Sequence, residues 1–169
     1  MNENLQLPLL DPAFVFHGSS EYFDVALPQR HKRVKKDAQG EPRIIFDQVS
    51  FHATPYRWVA IAYTYSPKRI SKDKDAYFNM GVDLYKHTPQ LDIYGIGSLE
   101  ESLQVLYGKG GYVSKFKRED FLHTEGLGHL ELITTTPLKP VSIEHVIDPV
   151  SEMRKYGVKF HFIDLHKKS

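Results

Sequence analysis

The segment Val49-Ser50-Phe51-His52-Ala53 runs without a spacer into Thr54-Pro55-Tyr56-Arg57-Trp58-Val59-Ala60-Ile61-Ala62-Tyr63. Its first residues are β-prone. With Ile44-Ile45-Phe46 upstream they read as one strand, or as a strand interrupted at Asp47. Thr54-Pro55 signals a helix start, with threonine as N-cap and proline at the first helical position. Trp58, Val59, Ile61, Ala62 and Tyr65 recur at helical spacing, which puts one face of that helix in the core. Ser66-Pro67 ends it, since proline cannot continue a helix. Strands outnumber helices in the rest of the chain, and their order is too irregular for a doubly wound sheet. The expectation is an α+β fold: a mixed, mainly antiparallel β-sheet core with two or three helices.

Working outward, residues 1–12 read as an N-terminal arm, and Ala13-Phe14-Val15-Phe16-His17 as the first core strand, broken by Gly18-Ser19-Ser20. Residues 28–42 and 67–76 read as charged loops, the first carrying Gly40 and two prolines. Short strands are expected near Val82–Tyr85 and Leu91–Tyr94. Ser98-Leu99-Glu100-Glu101 is a capping box opening a helix to about Tyr107, closed by Gly108. Strands are expected at 111–116, 130–135, 141–147 and 158–165, with a short helix at 149–156.

The chain has 169 residues and fits one domain, with 41% apolar and 25% charged residues. Twenty-two Lys and Arg stand against 21 Asp and Glu, so no global field points to nucleic acid or a membrane. There is no cysteine, which removes disulfides, thiolate catalysis and cysteine-held metals, and fits a reducing compartment. No apolar run approaches the roughly 18 residues of a membrane span. Residues 1–10 lack the basic flank and apolar core of a secretory signal. A cytoplasmic location is the expectation.

Three segments can carry chemistry. His17-Gly18 closes a buried strand: the imidazole can bond a hydroxyl, and the strand-end backbone can pair with a carboxamide where glycine admits a ligand. An ordinary turn histidine is the alternative. The strand-to-helix segment offers free N–H groups and aromatics that can stack on a flat ring, or it is plain core packing. In Glu125-Gly126-Leu127-Gly128-His129-Leu130-Glu131-Leu132-Ile133-Thr134-Thr135-Thr136-Pro137, Glu131 faces solvent or supplies one carboxylate to a cleft, where it can stabilise a developing cation.

Together these segments resemble the ADP-ribosyltransferase-like fold, the broad group of diphtheria-toxin-type and poly(ADP-ribose)-polymerase-type enzymes. Phe14 to Ser19, Ser50 to Pro55 with Ala60 to Tyr63, and the late strand with Glu131 are the matching pieces, and Thr134 to Ile143 looks like the strand–turn–strand of small bacterial members. The resemblance implies a single domain over residues 1–169 that cleaves the nicotinamide–ribose bond of NAD. ADP-ribose would pass to an unknown macromolecular acceptor, protein or nucleic acid, or to water. It further implies catalytic roles for Glu131 and His17. His17 would bond a hydroxyl of the adenine-side ribose. The Gly18 backbone would hold the carboxamide, and Ser19 would help position the ligand. Tyr63 would stack on the nicotinamide, with Phe51, Thr54 and Tyr56 lining the strand-to-helix segment. Glu131 would bond the nicotinamide ribose, with Glu125 as a competing carboxylate. Phe51 departs from the family's usual tyrosine and lacks its hydroxyl.

Two basic runs, Arg30-His31-Lys32-Arg33 with Lys35-Lys36, and Lys68-Arg69 with Lys72 and Lys74, read as solvated loops or as closures over a diphosphate. In the second case Arg30 or Arg33 would hold a phosphate with a two-pronged fork. Those runs keep open an RNA 2′-phosphotransferase-like reaction that also uses NAD. A module of the same fold that binds a nucleotide without turning it over is the third reading. No metal is expected: the nine histidines do not group with carboxylates at ligand spacing, and His161 and His166 read as surface residues. Phosphate-loop, dinucleotide-fingerprint and nucleophile-elbow motifs are absent.

Overall fold

A computed structural model describes residues 13–65, 68–71, 74–83, 89–127 and 131–165. The fold is α+β, built among these residues from three antiparallel-rich sheets and three helices. Strand β1 (Phe14–Ser19) pairs antiparallel with β7 (Gly111–Lys117), and β7 with β9 (Ser142–Val146). A second sheet joins β2 (Gln29–Lys36), β3 (Pro42–Ala53) and β8 (Leu132–Thr134). The third runs in the order β10 (Lys159–Asp164), β6 (Gln90–Gly95), β5 (Lys74–Asp83) and β4 (Lys68–Ser71). Its β10–β6 pair is parallel.

The β1–β7 pair is a wall between two cores. Side chains alternate across a strand, so Phe16 and Val113 enter one core while Val15 and Phe116 enter the other. The first core collects helix α1 (Arg57–Ala62), helix α2 (Leu99–Tyr107), helix α3 (Pro149–Lys155) and β6. Trp58 and Met153 are fully buried in it, and each such side chain stabilises the fold by roughly 1.5–3 kcal/mol. The second core holds Val15, Phe51, Ala53, Phe116 and Phe121. A smaller cluster of Phe46, Leu127 and Ile133 lies beside β3 and β8.

The expected N-cap is present: the Ser98 hydroxyl accepts from the Glu101 N–H at 3.2 Å, and Gly108 follows α2. Asp148 caps α3 in the same way, accepting from Ser151 N–H at 3.0 Å, with Pro149 in the first turn.

Several expected boundaries are corrected. Residues 28–42 are not a loop; they make β2, a tight turn and the start of β3. Almost every residue of β2 is exposed, so no apolar alternation marked it, and pairing with β3 is what forms it. The turn is closed by Asp37, whose carboxylate accepts from Gln39 N–H and Glu41 N–H at 2.9 Å each, while Gly40 takes φ 79°. Residues 68–71 are likewise a strand and not loop, and 74–76, also expected as loop, open β5, which runs to Asp83. Helix α1 begins at Arg57 rather than Pro55, because the Thr54 N–H and C=O are both bonded to Phe16, at 2.8 and 2.7 Å. It ends at Ala62. The arm at 1–12, the stop at Ser66-Pro67, Lys72, part of the Val82–Tyr85 expectation, Gly128 to Leu130 and His166 lie outside the described residues.

Candidate functional site

The bridge between Phe16 and Thr54 brings the end of β1 against the end of β3, and α1 packs over β1. A Cβ on Gly18 would stand 1.7 Å from the Ala60 carbonyl oxygen. Glycine is therefore demanded by the helix packed on β1 rather than by a ligand. That close approach leaves a cavity of about 210 Å³ between β1, β2, β3, α1 and Glu131. Its floor is apolar, from Phe16, Ala53, Val59 and Ala60; its rim carries His17, His31, Arg33, His52, Tyr63 and Glu131.

Successive residues of a strand aim their backbone groups at opposite edges. Phe16 directs its N–H and C=O to Thr54, so Gly18, two residues on, points its own pair to the same edge, beyond the last bridge and into the cavity. His17 donates from Nδ1 to the His52 carbonyl at 2.7 Å. Burial lowers its pKa below 6.5, and the nearby His52 and His31 act in the same direction. The neutral tautomer is thereby fixed with Nε2 as an acceptor.

Glu131 stands immediately before β8. Arg33 grips it with a fork, Nη1 to Oε1 at 2.8 Å and Nη2 to Oε2 at 2.7 Å. His52 donates from Nδ1 to Oε2 at 2.9 Å, with its Nε2 3.0 Å from the Ser50 hydroxyl. Burial alone would raise the carboxyl, but the bonds from His52 and Arg33 outweigh it and hold the pKa down to about 2. Among the described residues those three donors occupy three of the roughly four acceptor positions of the carboxylate, leaving one on Oε1. The Glu131 bond raises the Arg33 pKa. His31, its ring 4.3 Å from that of His52, is lowered by burial and then by His52 and Arg33. Tyr63 is half-exposed, its hydroxyl pKa raised by burial and by the Glu131 charge.

Of the residues singled out from sequence, His17, Gly18, Thr54, Tyr63, Arg33 and Glu131 line this cavity. Four others do not. Ser19 is spent at the strand end, its hydroxyl accepting from Glu21 N–H at 3.1 Å. Phe51 faces the second core and stands 4.3 Å from the His17 ring, so it props the imidazole. Tyr56 caps α1 and packs on the first core. Arg30 alternates to the opposite face of β2, where its fork holds Asp47 at 3.0 and 2.9 Å. Arg33 faces the cavity, but its fork is occupied by Glu131 rather than open to a phosphate. Glu125 is exposed, because Leu127 beyond the Gly126 turn is drawn in beside Phe46 and Ile133.

The sequence assigns no role to His31 or His52, yet both border the cavity together with His17 and Glu131. The Ser50-x-His52 spacing, two residues on one strand face, was the available signal. His31 lay in a stretch read as loop. No set of three His, Asp or Glu side chains among the described residues is arranged to hold a metal ion. No helix among them is long and apolar enough to cross a membrane. No protein-family model matches the sequence, no curated protein matches it, and no solved structure matches the fold.

Proposed function

We propose that the protein uses NAD as a substrate and cleaves its nicotinamide–ribose bond, as an ADP-ribosyltransferase-like enzyme. The observation that carries this reading is the convergence of His17, Gly18, Tyr63 and Glu131, from three separate parts of the chain, on one cavity. At about 210 Å³ it is smaller than the roughly 300–1,000 Å³ of sites that enclose drug-sized ligands. It suits one ring and its sugar, with the rest of a dinucleotide across the mouth.

Each group has a chemical use in that reaction. The Gly18 N–H and C=O match the acceptor and donor of a carboxamide. His17 Nε2 accepts a sugar hydroxyl, and the open position on Glu131 Oε1 accepts another. Tyr63 offers a ring face beside them. When the C–N bond breaks, its electron pair leaves with nicotinamide and a cation develops on the sugar. The ionised Glu131 lowers the energy of that cation. The acceptor's oxygen or nitrogen bonds to the same carbon, and its proton passes to solvent.

The test is nicotinamide release from NAD by the wild type and by Glu131→Gln, with a thermal-shift titration in parallel. Release that the substitution leaves unchanged overturns the reading. A thermal shift without release reduces the protein to a binding module. A second reading, an RNA 2′-phosphotransferase-like reaction, is favoured by His31 at the cavity rim. It requires release that depends on a 2′-phosphorylated RNA.

A further inference from the structure

In the proposed reaction one proton still needs a destination. An acceptor hydroxyl that bonds to the ribose carbon gives up its hydrogen as it attacks. Glu131, with its pKa held down to about 2, is a weak base, and its open Oε1 position faces a sugar hydroxyl. Most of the other groups bordering the cavity are engaged. Both nitrogens of His52 are taken, by Glu131 and by Ser50. His17 donates from Nδ1 to the His52 carbonyl, and its Nε2 is given to a sugar hydroxyl. Arg33 has no lone pair to offer. The Tyr63 hydroxyl is raised above its usual pKa and keeps its proton.

His31 is the exception. It shares the cavity face of β2 with Arg33, because side chains alternate along a strand. Its ring stands 4.3 Å from that of His52, whose Nδ1 is 2.9 Å from the Glu131 carboxylate. Neither His31 nitrogen makes a hydrogen bond among the described residues. The residue lines the cavity and is also exposed, so its ring stands at the mouth. An acceptor arriving from solvent meets it there. It needs no room inside the cavity of about 210 Å³ already given to the nicotinamide and its sugar.

Five ionisable groups border the same cavity: Arg33 from β2, His52 from β3, His17 from β1, Tyr63 from α1 and Glu131 from the segment before β8. Lys35 follows beyond Arg33 on the same strand face, and Gln48, opposite His31 on β3, carries no charge. Burial, His52 and Arg33 lower the His31 pKa, Glu131 raises it, and the net lies below 6.5. Above that value the ring is neutral and one nitrogen has a lone pair to use.

We propose that His31 is the general base of the transfer, taking the proton of an acceptor hydroxyl as its oxygen attacks the ribose carbon. This role rests on the NAD reading. The C–N electron pair leaves with nicotinamide, and the acceptor oxygen bonds to the same carbon. The hydroxyl proton moves to the open nitrogen of His31 and then to water. Nicotinamide departs neutral, so the positive charge of the NAD pyridinium ends on the imidazolium. The acceptor class narrows to neutral hydroxyls, water among them. A carboxylate acceptor has no proton to lose and would leave a neutral imidazole without a task.

The test is kcat for nicotinamide release at saturating NAD, measured against pH with methanol as the hydroxyl acceptor. The variants are His31→Gln, His31→Ala and, as a control, His161→Gln, a surface histidine paired with Asp92 on the third sheet. In the wild type kcat should rise with pH through a value below 6.5 and level off, matching the titration of the His31 ring followed by NMR. A separate fall near pH 2 belongs to Glu131. His31→Gln should lower the plateau by roughly 10²-fold, abolish the upper limb and leave KM for NAD near the wild-type value. Azide, an anion with no proton to lose, should restore turnover to His31→Ala and yield the ribosyl azide. His161→Gln should behave as the wild type. A limb that survives in His31→Gln, a kcat close to wild type, or azide without effect overturns the role. A wild type that releases no nicotinamide overturns the NAD reading and this role together. Release that needs Glu131 but not His31 overturns the base alone.

Discussion

Arg30 and Arg33 stand three residues apart on β2, and each holds a carboxylate with a two-pronged grip at 2.7–3.0 Å. In sequence they are the same feature. In the fold they are not. The Arg30 side chain is 70% exposed, and it is the hydrogen-bonded partner of an Asp47 open to solvent; such a pair contributes little once solvent screens it. Arg33 grips a carboxylate that is 26% exposed, shared with His52 and set beside an apolar floor. Depth and a second donor separate an ordinary surface ion pair from a charge held in place for use. The alternation of one strand, odd residues inward and even residues outward, decides which arginine has which role.

The sharpest way to break this contrast is to neutralise each carboxylate. Glu131→Gln should lower nicotinamide release by roughly 10²–10³-fold, the scale seen when one preorganised electrostatic partner of a transition state is removed. Asp47→Asn should leave release within about twofold, since a solvated surface pair carries little coupling. Circular dichroism and melting temperature would show both variants folded.

Replacing the arginines is the second test. Arg33→Lys loses the fork and leaves Glu131 with a point charge. The Glu131 carboxyl should then titrate at higher pH, moving the acid limb of the rate profile upward and lowering the rate by about tenfold or more, the scale of one unit of pKa. Arg30→Lys should leave both profile and rate as they are. Equal effects from the two substitutions would dissolve the distinction between the pairs.

The smallest expected effects are in stability against pH. Glu131 ionises at about 2 in the fold against 4.5 for the free group, so its contribution is fully present above 4.5. It is lost as the pH falls from 4.5 towards 2. The depressed His17 pKa works in a different window. The unfolded chain takes up that proton first, so stability falls as the pH drops below 6.5. Melting temperatures at pH 7.5, 5.5 and 3.5 would separate the two, with His17→Gln flattening the upper step and Glu131→Gln the lower.

What the sequence made legible follows from where the information sits. Ser98 and Glu101 announced α2 because a cap is local chemistry, and Trp58 to Ala62 announced α1 because its core face is periodic. Strand β2 was hidden: a ribbon exposed on both faces needs no apolar alternation, and only β3 makes it a strand. Arg33 and His31 travelled with that error, as their direction depends on the register. His52 stands in a strand the sequence does announce, yet its partner Glu131 lies far along the chain, and nothing local connects them. For Gly18 the sequence suggests a ligand's close approach, and the fold adds a second requirement, the Ala60 carbonyl pressed against it.

The hydrogen bond from His17 to the His52 carbonyl has one more consequence. Among the described residues it leaves Nε2 bare, as the two donors Arg33 and His52 leave one bare position on Glu131 Oε1. Both vacancies take a proton and neither gives one. The inner cavity therefore counts hydrogens on its guest: a diol satisfies it, whereas the corresponding ketone or methyl ether arrives with lone pairs facing lone pairs. Discrimination of that kind needs no closer fit and no moving part, only a tautomer held in place by a neighbouring strand.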